Sequence, residues 1–191
     1  MYMEFVLEND HPPKSIFSFA KENNFEEANF YEFFGSFEAI EAAVFETFFE
    51  NTLQLLSKSE DYQNYDARNK LLSFYFTFFE LLTANRSYVV YAFHKGKNNL
   101  KSLKSLNGFR KHFKQFVDDL DIETLDIQQE QIEKFQHKTL QESAWIQLLI
   151  TMKFWLDDTS PSFEKTDIFI EKSVNTSFDL LDIKPLKSIL D

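Results

Sequence analysis

The side chains that could do chemistry are few, and their spacing rules most of it out. Four histidines (His11, His94, His112 and His137) stand far apart, and no two of them sit at metal-ligand spacing. With no cysteine in the chain, disulfides, thiolate metal sites and thiol nucleophiles are excluded. The acidic run Asp118, Asp119, Asp121 and Glu123 lacks the glycine and the alternation of a calcium loop, and reads as a solvated connector. No nucleophile elbow, glycine-rich phosphate loop or helical metal motif appears. The expectation is a protein that binds rather than catalyses, with no metal and no cofactor.

Charge is the next signal, because it is segregated. The net charge is −11, but residues 1–50 hold only the basic residues Lys14 and Lys21 against eleven acidic ones. Residues 84–117 carry Arg86, Lys95, Lys97, Lys101, Lys104, Arg110, Lys111 and Lys114, with no acidic residue among them. Three readings of that basic stretch stay open: a solvated face, a dock for the acidic N-terminal segment, or a surface for anionic head groups.

The elements that must position these groups are helices. Three glycines and four prolines leave few breakers, and 24 phenylalanines require an aromatic core or an aromatic-lined cavity. Met1 to Asn9 reads as a short helix stopped by Pro12-Pro13. Ser15 caps a helix over residues 16–22, Asn23-Asn24 turns the chain, and a third helix covers about 26–34. Ser36 caps a long helix over 37–57. Residues 62–65 read as a loop, and Asp66 caps a helix to about 83 that is apolar nearly all round. Further helices follow over 85–95, 100–119 (with a break at Asn107-Gly108), 127–158 and 163–181. The longest nearly apolar run, 146–156, is far too short to span a bilayer, and residues 1–10 lack a basic signal region. The expected location is the cytoplasm.

One segment has a recognisable shape. Residues 15–45 combine Phe19-Ala20, a turn at Asn23-Asn24-Phe25, Phe30-Tyr31-Glu32-Phe33-Phe34, and Ser36-Phe37-Glu38-Ala39-Ile40. This resembles the helix-turn-helix half of the TetR/AcrR regulators. Three positions depart from that pattern. Glu26-Glu27-Ala28 open the recognition helix, Phe37 stands where the family has a phosphate-contacting lysine, and Asn24 replaces the turn glycine. The first helix is also short and lacks the customary basic lead-in.

The resemblance implies an all-α, TetR-like fold: a short N-terminal helix-turn-helix domain, residues 1–45, and a larger C-terminal ligand and dimerisation domain, residues 46–191. It implies a homodimer that binds operator DNA and answers to a small apolar ligand. The expected DNA-contacting residues are Lys14, Ser15, Lys21, Asn29 and Tyr31, with Asn29 suited to adenine. An apolar pocket is expected around Phe74, Tyr75, Phe78, Tyr88 and Tyr91, a filled aromatic core being the alternative. Trp145, Met152, Trp155, Ile170, Val174 and Phe178 are the expected self-complementary patch, the monomer core being the alternative. A second reading keeps the fold without DNA and binds a lipid, an isoprenoid-like molecule or a protein partner. It resembles in outline the lipid-binding accessory proteins of ubiquinone synthesis, although residues 185–191 are too short for their terminal membrane helix.

Overall fold

Local capping chemistry starts several of the helices. In the computed structural model, which describes residues 1–94, 105–122 and 130–181, every regular element is helical. Of the basic stretch, Lys95, Lys97, Lys101 and Lys104 lie outside the described residues, as do Glu123 and residues 185–191.

Helix α1 runs Tyr2–Asn9 and ends on Asp10 in the left-handed region (φ 57°). Helix α2, Ile16–Glu22, starts at a capping box in which the Ser15 hydroxyl accepts from the Ser18 N–H and the Ser15 N–H donates to the Ser18 hydroxyl. Asn24 then adopts φ 58°, the left-handed turn expected of an asparagine. Helix α3 spans Glu27–Phe33. Helix α4, Phe37–Ser57, is opened by the Ser36 hydroxyl, which accepts from the Ala39 N–H.

Helix α5, Glu60–Gln63, is a single turn where the sequence suggested a loop. Glu60 and Asp61 in its first turn favour it by meeting the positive end of the helix dipole. Helix α6, Ala67–Ala84, is opened by Asp66, whose carboxylate accepts from the Asn69 N–H at 2.8 Å. Helices α7, Arg86–His94, and α8, Asn107–Asp119, follow. The start of α8 falls at the expected break, and a Cβ on Gly108 would run into the Glu46 carboxylate. Helix α9 covers Glu130–Asp157, a 3₁₀ turn covers Pro161–Phe163, and α10 covers Glu164–Leu181.

The chain forms two compact units, Met1–Asn51 with Phe79–His112, and Thr52–Phe78 with Phe113–Asp191. In the first, Tyr2, Val6, Phe19, Phe30 and Tyr88 are the buried centre. In the second, Phe74, Tyr75 and Phe78 of α6 are buried, as are Phe109's neighbours in sequence Phe113 and Phe116 of α8 and the inner stripes of α9 and α10. Helices α9 and α10 run antiparallel, as shown by hydrogen bonds from Gln147 to Ser173 and from Ser177 to Gln147, and by the stacking of Phe154 on Phe169.

Candidate functional site

In the first unit, α2 and α3 pack on one another across the Asn24 turn. The inner sides of both are aromatic. Phe19 meets Tyr2, Phe5, Phe25 and Phe37 edge-on, with centroids 5.6–6.3 Å apart. Phe37 also stacks on Tyr2 at 5.5 Å and meets Phe30 edge-on. Phe37, which stands where the resembled pattern has a lysine, is therefore half-buried in the core of this unit and packs there.

The outer side carries the residues expected to meet DNA. Lys14, Ser15, Lys21, Asn29 and Tyr31 are all exposed. The Tyr31 hydroxyl donates to Glu27 Oε1 at 3.4 Å, one turn back on α3. Glu26, Asn29 and Phe33 fall on one stripe at i, i+3 and i+7. Two rings on this helix pair are open to water: Phe33 is 77% exposed and Phe17, on α2, 62%.

A group that sequence reasoning missed ties α1 to α4. The Tyr2 hydroxyl donates to Glu41 Oε1 at 2.5 Å. Burial, then the hydrogen bond to Glu41, raises the Tyr2 pKa well above the ordinary phenol range. Tyr88 is raised in the same direction, by burial first and then by the charge of Glu41. No local spacing joins residues 2, 41 and 88, so no sequence pattern announces the cluster.

The five residues expected to line a ligand pocket are divided between the two units. Phe74, Tyr75 and Phe78 belong to the second unit, Tyr88 and Tyr91 to the first. Phe74 stacks on Phe78 at 5.5 Å and packs on Phe113 and Phe116 at 5.4 and 4.8 Å. These rings are buried against one another. The buried Tyr75 phenol has its pKa raised by burial and stays neutral.

The residues of the expected self-association patch lie on the inner sides of α9 and α10. Trp145, Met152, Trp155, Ile170, Val174 and Phe178 are all buried within the single chain. Trp145 packs on Phe113, Trp155 on Phe163, and Arg68 sits over the Phe178 ring while pairing with Asp179. Large rings and aliphatic chains take the side with the most neighbours. The opposite sides of the same helices remain apolar and open, with Ile146, Ile150 and Phe154 on α9 and Ile168 on α10 exposed. There Phe154, Lys165, Ile168, Phe169, Lys172, Ser173 and Thr176 line an open groove of about 560 Å³, with Phe154 stacked on Phe169 at 4.6 Å.

The turn between α9 and α10 is held by one carboxylate. Asp158 Oδ1 accepts from the Ser160 N–H and hydroxyl, at 2.8 and 2.7 Å. Its Oδ2 accepts from the Thr166 N–H and hydroxyl, at 3.0 and 2.7 Å. Burial acts to raise its pKa, but these four hydrogen bonds outweigh it and bring the pKa down to about 2.

Among the described residues no group of histidines and carboxylates could hold a metal ion, and no helix is long and apolar enough to cross a membrane.

The described residues form an all-helical protein whose last two helices make an antiparallel pair with an open apolar side. Residues 70–191 match the family described as "Tetracyclin repressor-like, C-terminal domain". The chain belongs to that family, and its all-α fold is TetR-like. No curated protein and no solved structure gives a significant match.

Proposed function

We propose that this TetR-family regulator is a homodimer that binds operator DNA through α2 and α3 and is controlled by a small apolar ligand taken up by residues 46–191. The observation that carries the DNA part is the α2–turn–α3 unit, with its Ser15 capping box and left-handed Asn24, which leaves Asn29 and Tyr31 exposed on α3. Lys14, Ser15 and Lys21 are the phosphate contacts of this reading, Asn29 the base reader and Tyr31 its neighbour on the helix. The ligand part rests on the family and on the aromatic side chains of Phe74, Tyr75 and Phe78, which a ligand would partly displace. The dimer part rests on the exposed apolar stripes of α9 and α10: Ile146, Ile150, Phe154 and Ile168 would meet the same residues of a second copy across a two-fold axis.

The test is binding to duplex DNA from around the gene, read by fluorescence anisotropy at ~50 and ~200 mM salt. Lys14 and Lys21 are the only basic residues of the first fifty, so a dimer offers four cationic side chains in these segments. At about −0.9 per neutralised phosphate the salt slope is about −3.6, a loss of roughly 100-fold between the two conditions. Asn29→Ala and Tyr31→Ala should each abolish specific binding. No binding at low salt by a folded dimer would sink the DNA part.

A second reading, the same scaffold without DNA, is favoured by the carboxylates of Glu26, Glu27 and Glu32 and by the place of Phe37 in the core. Its mark would be DNA binding created from nothing by Glu26→Lys with Glu27→Lys.

A further inference from the structure

The open side of α2 and α3 is unusual for a surface meant only for phosphates. Phe33, at 77% exposure, lies one turn beyond Asn29 on the stripe that begins at Glu26. Phe17 is 62% exposed on the helix packed against it. Large exposed rings set among charges are enriched at surfaces that meet a partner. The charges of this segment are mostly acidic. Glu22, Glu26, Glu27 and Glu32 belong to the same thirty-residue segment, with Lys14 and Lys21 as the opposing cations, and residues 1–50 as a whole carry a net −9.

We infer that this face docks a basic polypeptide segment bearing apolar side chains, and that such a segment and DNA compete for it. The inference rests on α2 and α3 being the working surface of the regulator, and it adds a means of control at that surface. Lysine or arginine side chains of the partner would answer the four carboxylates, while its apolar side chains would cover Phe17 and Phe33. The same charge argues against the other occupants. A second copy would bring net negative charge against net negative charge, and an anionic head-group surface would be repelled. The partner's basic groups would lie where the DNA reading places phosphates, so the two cannot be bound together.

The probe is a fluorescein-labelled amphipathic helix with one leucine face and one lysine face. A helix of the same pattern with glutamate in place of lysine is the control. Anisotropy with the full chain at low salt should show binding of the lysine helix and none of the glutamate helix. Phe17→Ser with Phe33→Ser should weaken it at least tenfold while circular dichroism stays unchanged, since both side chains are exposed. Glu26→Gln with Glu27→Gln should weaken it to a similar degree, and unlabelled duplex DNA that binds the chain should displace the helix. Equal binding by the wild type and the double-serine variant would place the helix elsewhere on an acidic protein and overturn the inference, as would no binding at all. DNA binding without helix binding overturns the inference and leaves the DNA reading standing. Helix binding without DNA binding overturns the DNA reading and the competition with it, and leaves only the docking of the helix standing.

Discussion

Asp158→Ala should cost the protein a measurable share of its stability, by an amount that depends on pH. The carboxylate accepts four hydrogen bonds, two from Ser160 and two from Thr166, and with the Ser160 hydroxyl, which accepts from the Lys165 N–H, it closes the first turn of α10. Removing it strands the N–H and hydroxyl of Thr166, a residue only 1% exposed. A buried polar group left without a partner costs about 1–3 kcal/mol, and losing a helix N-cap typically about 1 kcal/mol. The two overlap, so a loss of about 1–3 kcal/mol is expected, or a fall in Tm on the order of 6 °C for a chain of this length. Asp158→Asn should fall short of that, because its amide oxygen can still accept from one side of the turn.

The pH dependence follows from the direction of the shift. The folded pKa is about 2, below the ordinary carboxyl value of 3.8. The stabilisation is thus fully present above about pH 4 and fades as pH falls towards 2. Asp167 opposes it slightly, its own pKa being raised by burial and then by the charge of Asp158. Chemical denaturation of wild type and Asp158→Asn at fixed protein concentration, from pH 7 down to pH 2, should show two curves converging in acid. A gap that stays constant to pH 2, or no gap at pH 7, would refute the argument that a charged cap holds this turn.

Three further outcomes are expected. Ile150→Asp with Phe154→Asp, both exposed in the single chain, should shift a homodimer to monomer in light scattering with at least a ~100-fold rise in dissociation constant, whereas a dimer that survives would put the interface elsewhere. Ser162, at φ 54°, is a non-glycine residue in the left-handed region, so Ser162→Gly should relieve strain of about 1 kcal/mol less part of the added chain entropy, and Tm should rise by about 1–3 °C; a fall would show that its side chain matters more than its backbone. Tyr2→Phe should lower stability at pH 7 by about 1–2 kcal/mol through the lost bond to Glu41. Because the Tyr2 pKa is raised by burial and then by Glu41, the wild type should also lose stability as pH rises above about 10, and the variant should lose less of it over that range.

What could be read in the sequence was local. Ser15, Ser36 and Asp66 announced the helices they open, because a cap acts on N–H groups two or three residues away. Asn24 announced its turn for a similar reason, its short polar side chain tolerating the left-handed backbone. Helix α5 did not announce itself, since four residues carry no periodicity to find. Asp158 was hidden because its partners lie two and eight residues ahead across a turn whose path only the fold defines.

The limits were sharper for the surfaces. Periodicity finds an apolar stripe but not the neighbour that stripe meets, and α9 has two of them. Trp145, Met152 and Trp155 form one, Ile146, Ile150 and Phe154 the other, and the bulkier stripe suggested a partner chain until burial showed it facing inwards. The same periodicity grouped Tyr88 and Tyr91 with Phe74, and the residues belong to different compact units. Phe37 shows the opposite case. Read against a family pattern it was only a missing lysine, but its stacking on Tyr2 explains why an apolar ring suits the position. A departure from a binding pattern can thus be a gain for the core, and the two are told apart by whether the new side chain points into the packing or out of it. Phe33, which points out, is the residue for which the core offers no such account.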